Sequence, residues 1–178
     1  MSLNKANKTR KMTKIAMIAG IYAAITFATF FMSFGQIQYR VSEVLTILPV
    51  FTVTAIPGLT LGCALANLVG FFIGVNPLGL MDAIFGTAAS LIAAIMTYYL
   101  GKVDNKWIIY LLCPLPPVLI NALVIGFELT LMFNPLEIHF FLLNALSVFI
   151  GQAVVCYGLG IPLMIALKKN DLYKKIFS

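Results

Sequence analysis

The sequence has few charged residues and few residues of the types that build catalytic or metal centres. Among its 178 residues there are six Asp or Glu, one His and three Cys. The cysteines stand far apart inside apolar stretches, without the spacing of a zinc site or of a disulfide framework. No HExxH, GxSxG or Walker A pattern is present. The sequence therefore predicts no enzyme, no bound metal or other cofactor, and no ATP-hydrolysing machinery of its own.

What the sequence has in excess is apolar surface. Hydrophobic residues make up 61% of the chain and charged residues only 10%, which is more apolar surface than a soluble fold of this length can bury. A membrane-spanning helix needs about 20 apolar residues. We therefore expect a multi-pass, all-α membrane protein with one integral-membrane domain over residues 1–178. Its six transmembrane helices are predicted over 12–34, 41–56, 58–75, 78–100, 107–132 and 138–167.

Two of these predicted spans are irregular. The second is short for a bilayer, since roughly 16 residues reach only about 24 Å. The fifth contains Pro114, Pro116 and Pro117, and proline removes a backbone donor inside a helix. An alternative to a continuous fifth span is therefore a separate interfacial turn over residues 107–113, followed by a helix that begins close to Pro116.

Positive charge is confined to one side of the predicted bundle. All Lys and Arg residues except Arg40 lie in the two termini or near the loop 101–106. Basic residues collect on the cytoplasmic side of membrane proteins, and six crossings place all three basic segments on that side. We expect a cell-membrane protein with cytoplasmic N- and C-termini, whose basic segments face membrane lipid and not nucleic acid.

Carboxylates collect at the opposite, outer end of the predicted helices, in the group Glu43, Asp82, Glu128 and Glu137. Charged groups inside a membrane are costly, so each one indicates a functional site. Helical spacing places Asn121 on the same face as Glu128, and Asn144 lies on a polar stripe of the sixth helix. For Asn121, simple interhelical hydrogen bonding remains an alternative to ligand binding.

Arg40 is the single basic residue on the outer side, three residues before Glu43. Two interpretations remain open. The two side chains form a pair that holds the loop to the start of the second helix, or one of them contacts a ligand.

The first helix carries small residues at intervals of four. Ala16, Gly20 and Ala24 form one stripe, with Ala19 and Ala23 beside it. Small residues allow close approach of another helix inside lipid. The stripe therefore indicates either packing within the bundle or a docking face for another subunit.

Four segments together resemble the queuosine-precursor (QueT) family of S components, the substrate-binding subunits of energy-coupling-factor (ECF) transporters. They are YRVSEVLTILP at 39–49, AIPGLTLGCALAN at 55–67, GLMDAIFGTAAS at 79–90 and PPVLINALVIGFEL at 116–129. The resemblance implies an S-component-like bundle of six helices. It also implies capture of a queuosine precursor, a 7-deazaguanine such as 7-aminomethyl-7-deazaguanine, outside the cell. A transmembrane coupling subunit and two ATP-binding cassette ATPases would then drive uptake.

The resemblance also implies roles for particular residues. In such proteins an alanine-rich face of the first helix contacts the coupling subunit, and Ala16, Ala19, Gly20, Ala23 and Ala24 match it, with glycine replacing alanine at position 20. The substrate pocket lies near the outer surface under a loop that corresponds to 36–40 here.

The implied substrate suits the carboxylates. A deazaguanine ring presents two adjacent donors, and an aminomethyl group adds a cation. We expect substrate contacts from seven residues: Tyr39, Arg40, Glu43, Asp82, Asn121, Glu128 and Asn144. Which carboxylate contacts the ring and which contacts the amine stays open. The alternatives are an S component for another vitamin or purine-like base, and a self-sufficient proton-coupled transporter that uses Asp82 and Glu128 as a relay.

Overall fold

The computed structural model describes residues 2–34, 39–133 and 137–177. Within these ranges the chain is helical and contains no strand. Five segments are long and apolar enough to cross a membrane, and a sixth apolar helix, Val41–Val50, is shorter. The predicted all-α, multi-pass membrane fold is therefore confirmed. Residues 36–38, predicted as part of a capping loop, lie outside the described residues.

The helices have the following bounds in chain order. They are α1 (Ser2–Ala28), α2 (Phe30–Ser33), a 3-10 helix (Val41–Val50), α3 (Ala55–Phe72), a π-helical turn (Asp82–Gly86) that runs into α4 (Thr87–Leu100), α5 (Lys106–Leu112), α6 (Leu115–Phe133), α7 (Ile138–Gly158), α8 (Gly160–Lys168), a 3-10 turn (Lys169–Asp171) and α9 (Leu172–Phe177).

The second predicted span, 41–56, is the one that differs most. The helix there is 3-10 and ends at Val50, and residues 55 and 56 already belong to α3. Hydropathy does not reveal the turn between the two helices, because apolar residues alternate with threonines there. The hydroxyls of Thr52 and Thr54 hydrogen-bond to each other at 2.8 Å and hold the turn. A 3-10 helix rises about 2.0 Å per residue, so ten residues still extend about 20 Å.

Prolines account for two further breaks. Pro114 separates α5 from α6, the alternative that the prolines indicated in the sequence. Pro162 lies in the first turn of α8, where its missing N–H is tolerated. This proline divides the sixth predicted helix at Leu159, a break that the sequence analysis did not anticipate.

Small residues set the closest helix contacts. A Cβ added at Gly62 of α3 would lie 2.8 Å from Tyr22 Cβ of α1, and one at Gly126 of α6 would lie 2.6 Å from Ala145 Cα of α7. Such distances mean that the backbones touch where a side chain would have separated them. Inside lipid, this close contact replaces the hydrophobic effect as the source of helix association.

The two ends of the chain meet at one end of the bundle. Lys14 Nζ donates to the carbonyl oxygen of Phe177 at 2.6 Å, and the ring of Phe51 lies 5.1 Å from that of Tyr173. Val50 packs against Gly101 of the basic loop. The 3-10 helix thus runs from the carboxylate-bearing end, where it begins after Arg40, to the basic end.

Candidate ligand-binding site

A buried ion pair lies at the centre of the carboxylate-bearing end. Arg40 Nη2 contacts Asp82 Oδ2 at 2.9 Å, and both side chains are almost fully buried. The side-chain amide of Asn76 donates to the same Asp82 oxygen at 2.9 Å. The guanidinium also lies over the ring of Phe34, 5.6 Å from its centroid. Arg40 thus joins the start of the 3-10 helix to the start of α4.

The π-helical turn at Asp82 is built to leave room for its carboxylate. A Cβ added at Gly86 would collide with Asp82 Oδ1, so a side chain at this position would displace the carboxylate. In this wider turn, the backbone carbonyl of Asp82 accepts a hydrogen bond from Asn67 Nδ2 at 2.8 Å. Single π-helical turns inside α-helices occur frequently at functional sites.

Glu43 has different partners from those that its sequence position indicated. Tyr22 of α1 donates its hydroxyl to Glu43 Oε1, and the side chain of Asn121 on α6 lies within interaction range of the same carboxylate. One interpretation of the sequence paired Arg40 with Glu43. That interpretation is wrong, because Arg40 hydrogen-bonds to Asp82 instead. Glu43 Oε2 has no hydrogen-bond partner among the described residues.

Glu128 of α6 is buried without a partner. Its side chain is 2% exposed, and neither carboxylate oxygen has a hydrogen-bond partner in the described part of the chain. It lies within electrostatic range of Asp82 and Arg40. A buried charge without a partner is costly, so Glu128 is the group in this cluster that most requires a ligand.

Arg40, Glu43, Asp82 and Glu128 form what we call the polar cluster. Three carboxylates face one guanidinium, which leaves two negative charges in excess when all four groups are ionised. Several polar atoms in and beside the cluster have no partner among the described residues, namely Arg40 Nε, Glu43 Oε2, Asn67 Oδ1, Asp82 Oδ1, Thr87 Oγ1, Ser90 Oγ and both oxygens of Glu128. A site of this kind suits a cationic ligand that offers several hydrogen-bond donors.

Two residues predicted for the site make other contacts. Asn144 of α7 donates to Thr130 Oγ1 at 3.0 Å and links α7 to α6. Tyr39 is half-buried, and its backbone N–H donates to Met32 O at 3.1 Å. Arg40, Glu43, Asp82, Asn121 and Glu128 are the predicted residues that the structure brings together.

The sequence analysis missed Tyr22 and Asn76 as members of the site. Tyr22 lies in an apolar helix and resembles an ordinary packing residue, yet it is fully buried beside Glu43. Asn76 falls between the third and fourth predicted spans, and no pattern in the sequence connects it with Asp82, to which it donates. Among the residues that the structure describes, no group of three His, Cys, Asp or Glu could hold a metal ion.

The ion pair gives a stability test. Arg40→Met leaves Asp82 buried without its counter-ion, so we expect a loss of about 3–5 kcal/mol in the free energy of unfolding. The double variant Arg40→Met/Asp82→Asn removes both charges and should be more stable than Arg40→Met alone. Thermal unfolding in detergent measures all three proteins. Lys174→Met, which removes the exposed pair with Asp171, is the matched control and should leave the melting temperature unchanged. A double variant that is no more stable than Arg40→Met would contradict the pairing.

Comparison with known proteins gives one match over most of the chain and one over a smaller part. A family model described as QueT transporter matches residues 12–169. The curated Queuosine precursor transporter QueT of Lactococcus lactis subsp. cremoris (strain MG1363) is 35% identical over 69 residues, which cover 38% of this chain and 41% of that relative. The aligned part is thus less than half of either protein. No solved structure matches the chain. Because the family model covers most of the sequence, the chain belongs to the QueT transporter family, a family of transporters and not of enzymes.

Proposed function

We propose that this chain is the substrate-binding S component of an ECF transporter and that it binds a queuosine precursor at the polar cluster. The observation that carries this proposal is the unpartnered Glu128 within a cluster of three carboxylates and one guanidinium. The name of the bacterial relative supports the choice of substrate. In this proposal residues 1–178 act as one integral-membrane substrate-binding domain.

The hydrogen-bond donors and acceptors of a 7-deazaguanine ring complement the unpartnered atoms of the polar cluster. One edge of the ring carries a carbonyl acceptor followed by two donors, the ring N–H and the exocyclic NH2. The polar cluster offers one free donor, Arg40 Nε, and two free acceptors on partly satisfied carboxylates, Glu43 Oε2 and Asp82 Oδ1. We assign the ring edge to these three atoms.

The amine is assigned to Glu128. Asp82 is already paired with Arg40, and Glu43 already accepts from Tyr22, whereas Glu128 has neither kind of partner among the described residues. An ammonium group offsets this charge through charge-assisted hydrogen bonds. The site therefore favours the aminomethyl precursor over the uncharged 7-cyano-7-deazaguanine.

Substitution of Glu128 tests this assignment. Glu128→Gln replaces a charged acceptor with a neutral amide, so binding of 7-aminomethyl-7-deazaguanine should weaken at least tenfold, or about 1.4 kcal/mol. Binding of the cyano compound should change less. Calorimetric titration of the detergent-purified protein gives both constants. Glu137→Gln, at an exposed position before α7, is the control. If Glu128→Gln binds the aminomethyl compound within twofold of the unmodified protein, the assignment is wrong.

The polar cluster supports this function over proton-coupled transport. A relay between Asp82 and Glu128 needs Asp82 to take up and release protons. Its carboxylate is bonded to both Arg40 and Asn76 in a buried site, and it would have to give up these contacts to act in a relay. Energy for uptake would therefore come from partner subunits, a transmembrane coupling subunit and two ATP-binding cassette ATPases.

The docking face on α1 is narrower than the sequence predicted. Ala16, Gly20 and Ala24 are exposed on the outside of the bundle, and a Cβ at Gly20 would meet nothing within 4 Å. Ala19 is 4% exposed and faces α3, and Ala23 packs partly against the core. We therefore assign contact with the coupling subunit to the exposed stripe of three residues.

Gly20→Leu should separate assembly from ligand binding. The added side chain has open space in the isolated chain but would obstruct a close helix contact with a partner. We expect loss of co-purification with the coupling subunit and ATPases, and a ligand affinity within twofold of the unmodified protein. Gly158→Leu, at the other described helical glycine with no atom within 4 Å, is the matched control and should assemble. Intact assembly of Gly20→Leu would remove the docking assignment.

We propose that the basic end of the bundle faces the cytoplasm, because Lys and Arg collect there. Cysteine labelling of a Cys-free variant in intact cells tests this orientation. Glu137→Cys should react with an impermeant reagent from outside, whereas Asp104→Cys should react only after permeabilisation. Both positions are exposed in the structure. The opposite pattern would reverse the orientation and place the polar cluster on the cytoplasmic side.

A further inference from the structure

A cavity of about 350 Å³ lies beside Glu128 and opens on the outside of the bundle. We call it the lateral groove. Apart from Glu128, its lining is entirely apolar and comes from the π-helical turn and the residue before it, from α6 and from α7, with Phe85, Leu123, Phe127, Leu131 and Phe141 among its residues. Phe85 and Phe127 are about half exposed, so the groove faces the surrounding bilayer.

Glu128 lies between this groove and the polar cluster. It lines the groove and at the same time lies within electrostatic range of Asp82 and Arg40. The polar cluster and the groove are therefore two compartments of opposite character on either side of one carboxylate.

We propose that the lateral groove binds an apolar substituent on the amine nitrogen of the substrate, so that the site accepts N-substituted aminomethyl deazaguanines as well as the primary amine. This inference rests on the proposed function, in which Glu128 binds the amine. A secondary ammonium keeps its charge and two N–H donors, so its bond to Glu128 persists. Its substituent then requires apolar space directly beside that carboxylate.

The size and walls of the groove suit a benzyl group. An apolar cavity of roughly 150 Å³ already holds a benzene ring, and the lateral groove is larger. The rings of Phe127 and Phe141 lie 6.5 Å apart at an interplanar angle of 73°, the edge-to-face arrangement that a third ring can extend.

A lipid acyl chain explains the groove less well. It would cover the apolar walls, but it would leave both oxygens of Glu128 unpartnered beside hydrocarbon, which is costly. A cation that carries an apolar group satisfies the carboxylate and the walls together. The unpartnered carboxylate thus distinguishes between the two occupants.

Titration with two ligands and two tryptophan variants tests the inference. The ligands are 7-aminomethyl-7-deazaguanine and its N-benzyl derivative. Leu123→Trp fills the groove from a half-exposed position. Leu119→Trp, one helical turn earlier and also half-exposed, lies outside the lining and serves as the matched control. Calorimetry in lipid nanodiscs gives the constants, and bound phospholipid is quantified in each sample.

We expect the N-benzyl derivative to bind within threefold of the primary amine. Leu123→Trp should weaken the derivative at least tenfold and leave the primary amine within twofold, which also shows that the variant is folded. Leu119→Trp should change neither constant. If the primary amine binds and the derivative binds more than a hundredfold more weakly, the groove is not a substituent site, while the proposed function stands.

Two other results would also overturn the inference. If Leu123→Trp weakens both ligands equally, the groove belongs to the primary site. If it displaces bound phospholipid without changing either constant, the groove holds an acyl chain. Failure of both ligands to bind the unmodified protein would reject the proposed function, and the inference with it.

Discussion

The ion pair between Arg40 and Asp82 is the contact on which the rest of the site depends. Two charges separated by 42 positions in the sequence meet in the interior of a membrane protein, where each alone would be very costly. Their pairing fixes the start of the 3-10 helix against the start of α4. Gly86 leaves space for the carboxylate, and Asn76 donates a second hydrogen bond to the oxygen that Arg40 contacts. Because Arg40 is paired with Asp82, it forms no ion pair with Glu43 or Glu128. In the proposed function, the ligand offsets the charge of these two carboxylates.

Close helix packing makes this convergence possible. The side chains of the site, from α1, α6, the 3-10 helix and the turn that leads into α4, extend only a short distance from their backbones. They therefore meet only where the helix backbones approach closely. Gly62 allows α3 to touch α1 beside Tyr22, and Gly126 allows α6 to touch α7 two residues before Glu128. The same small residues that hold the bundle together in lipid therefore also set the distances between the polar groups.

The sequence predicted those features that depend on transfer of residues from water to lipid. These were the all-α fold, the approximate helix ranges, the alternative of a break near Pro114, and the placement of Glu43, Asp82 and Glu128 at one end. It did not predict contacts that depend on the rotation of helices about their axes. A pair between Arg40 and Glu43 was one of two open interpretations, the pair with Asp82 was not among them, and Tyr22 was not assigned to the site. Hydropathy also gave no sign that the second span is a 3-10 helix, because apolar content is independent of hydrogen-bond period.

The two faces of α1 connect substrate binding with partner docking. Gly20 and Tyr22 are two residues apart, hence about 200° apart around the helix, so the exposed stripe faces outward where Tyr22 faces Glu43. A partner bound at the stripe touches no group of the polar cluster directly. Ile18 and Tyr22 pack against Gly58 and Gly62 without spare space, so α1 and α3 are tightly joined on the side of Tyr22. If the proposed docking and binding assignments hold, the effect of a partner on the substrate would pass through this joined pair of helices, which carries Tyr22.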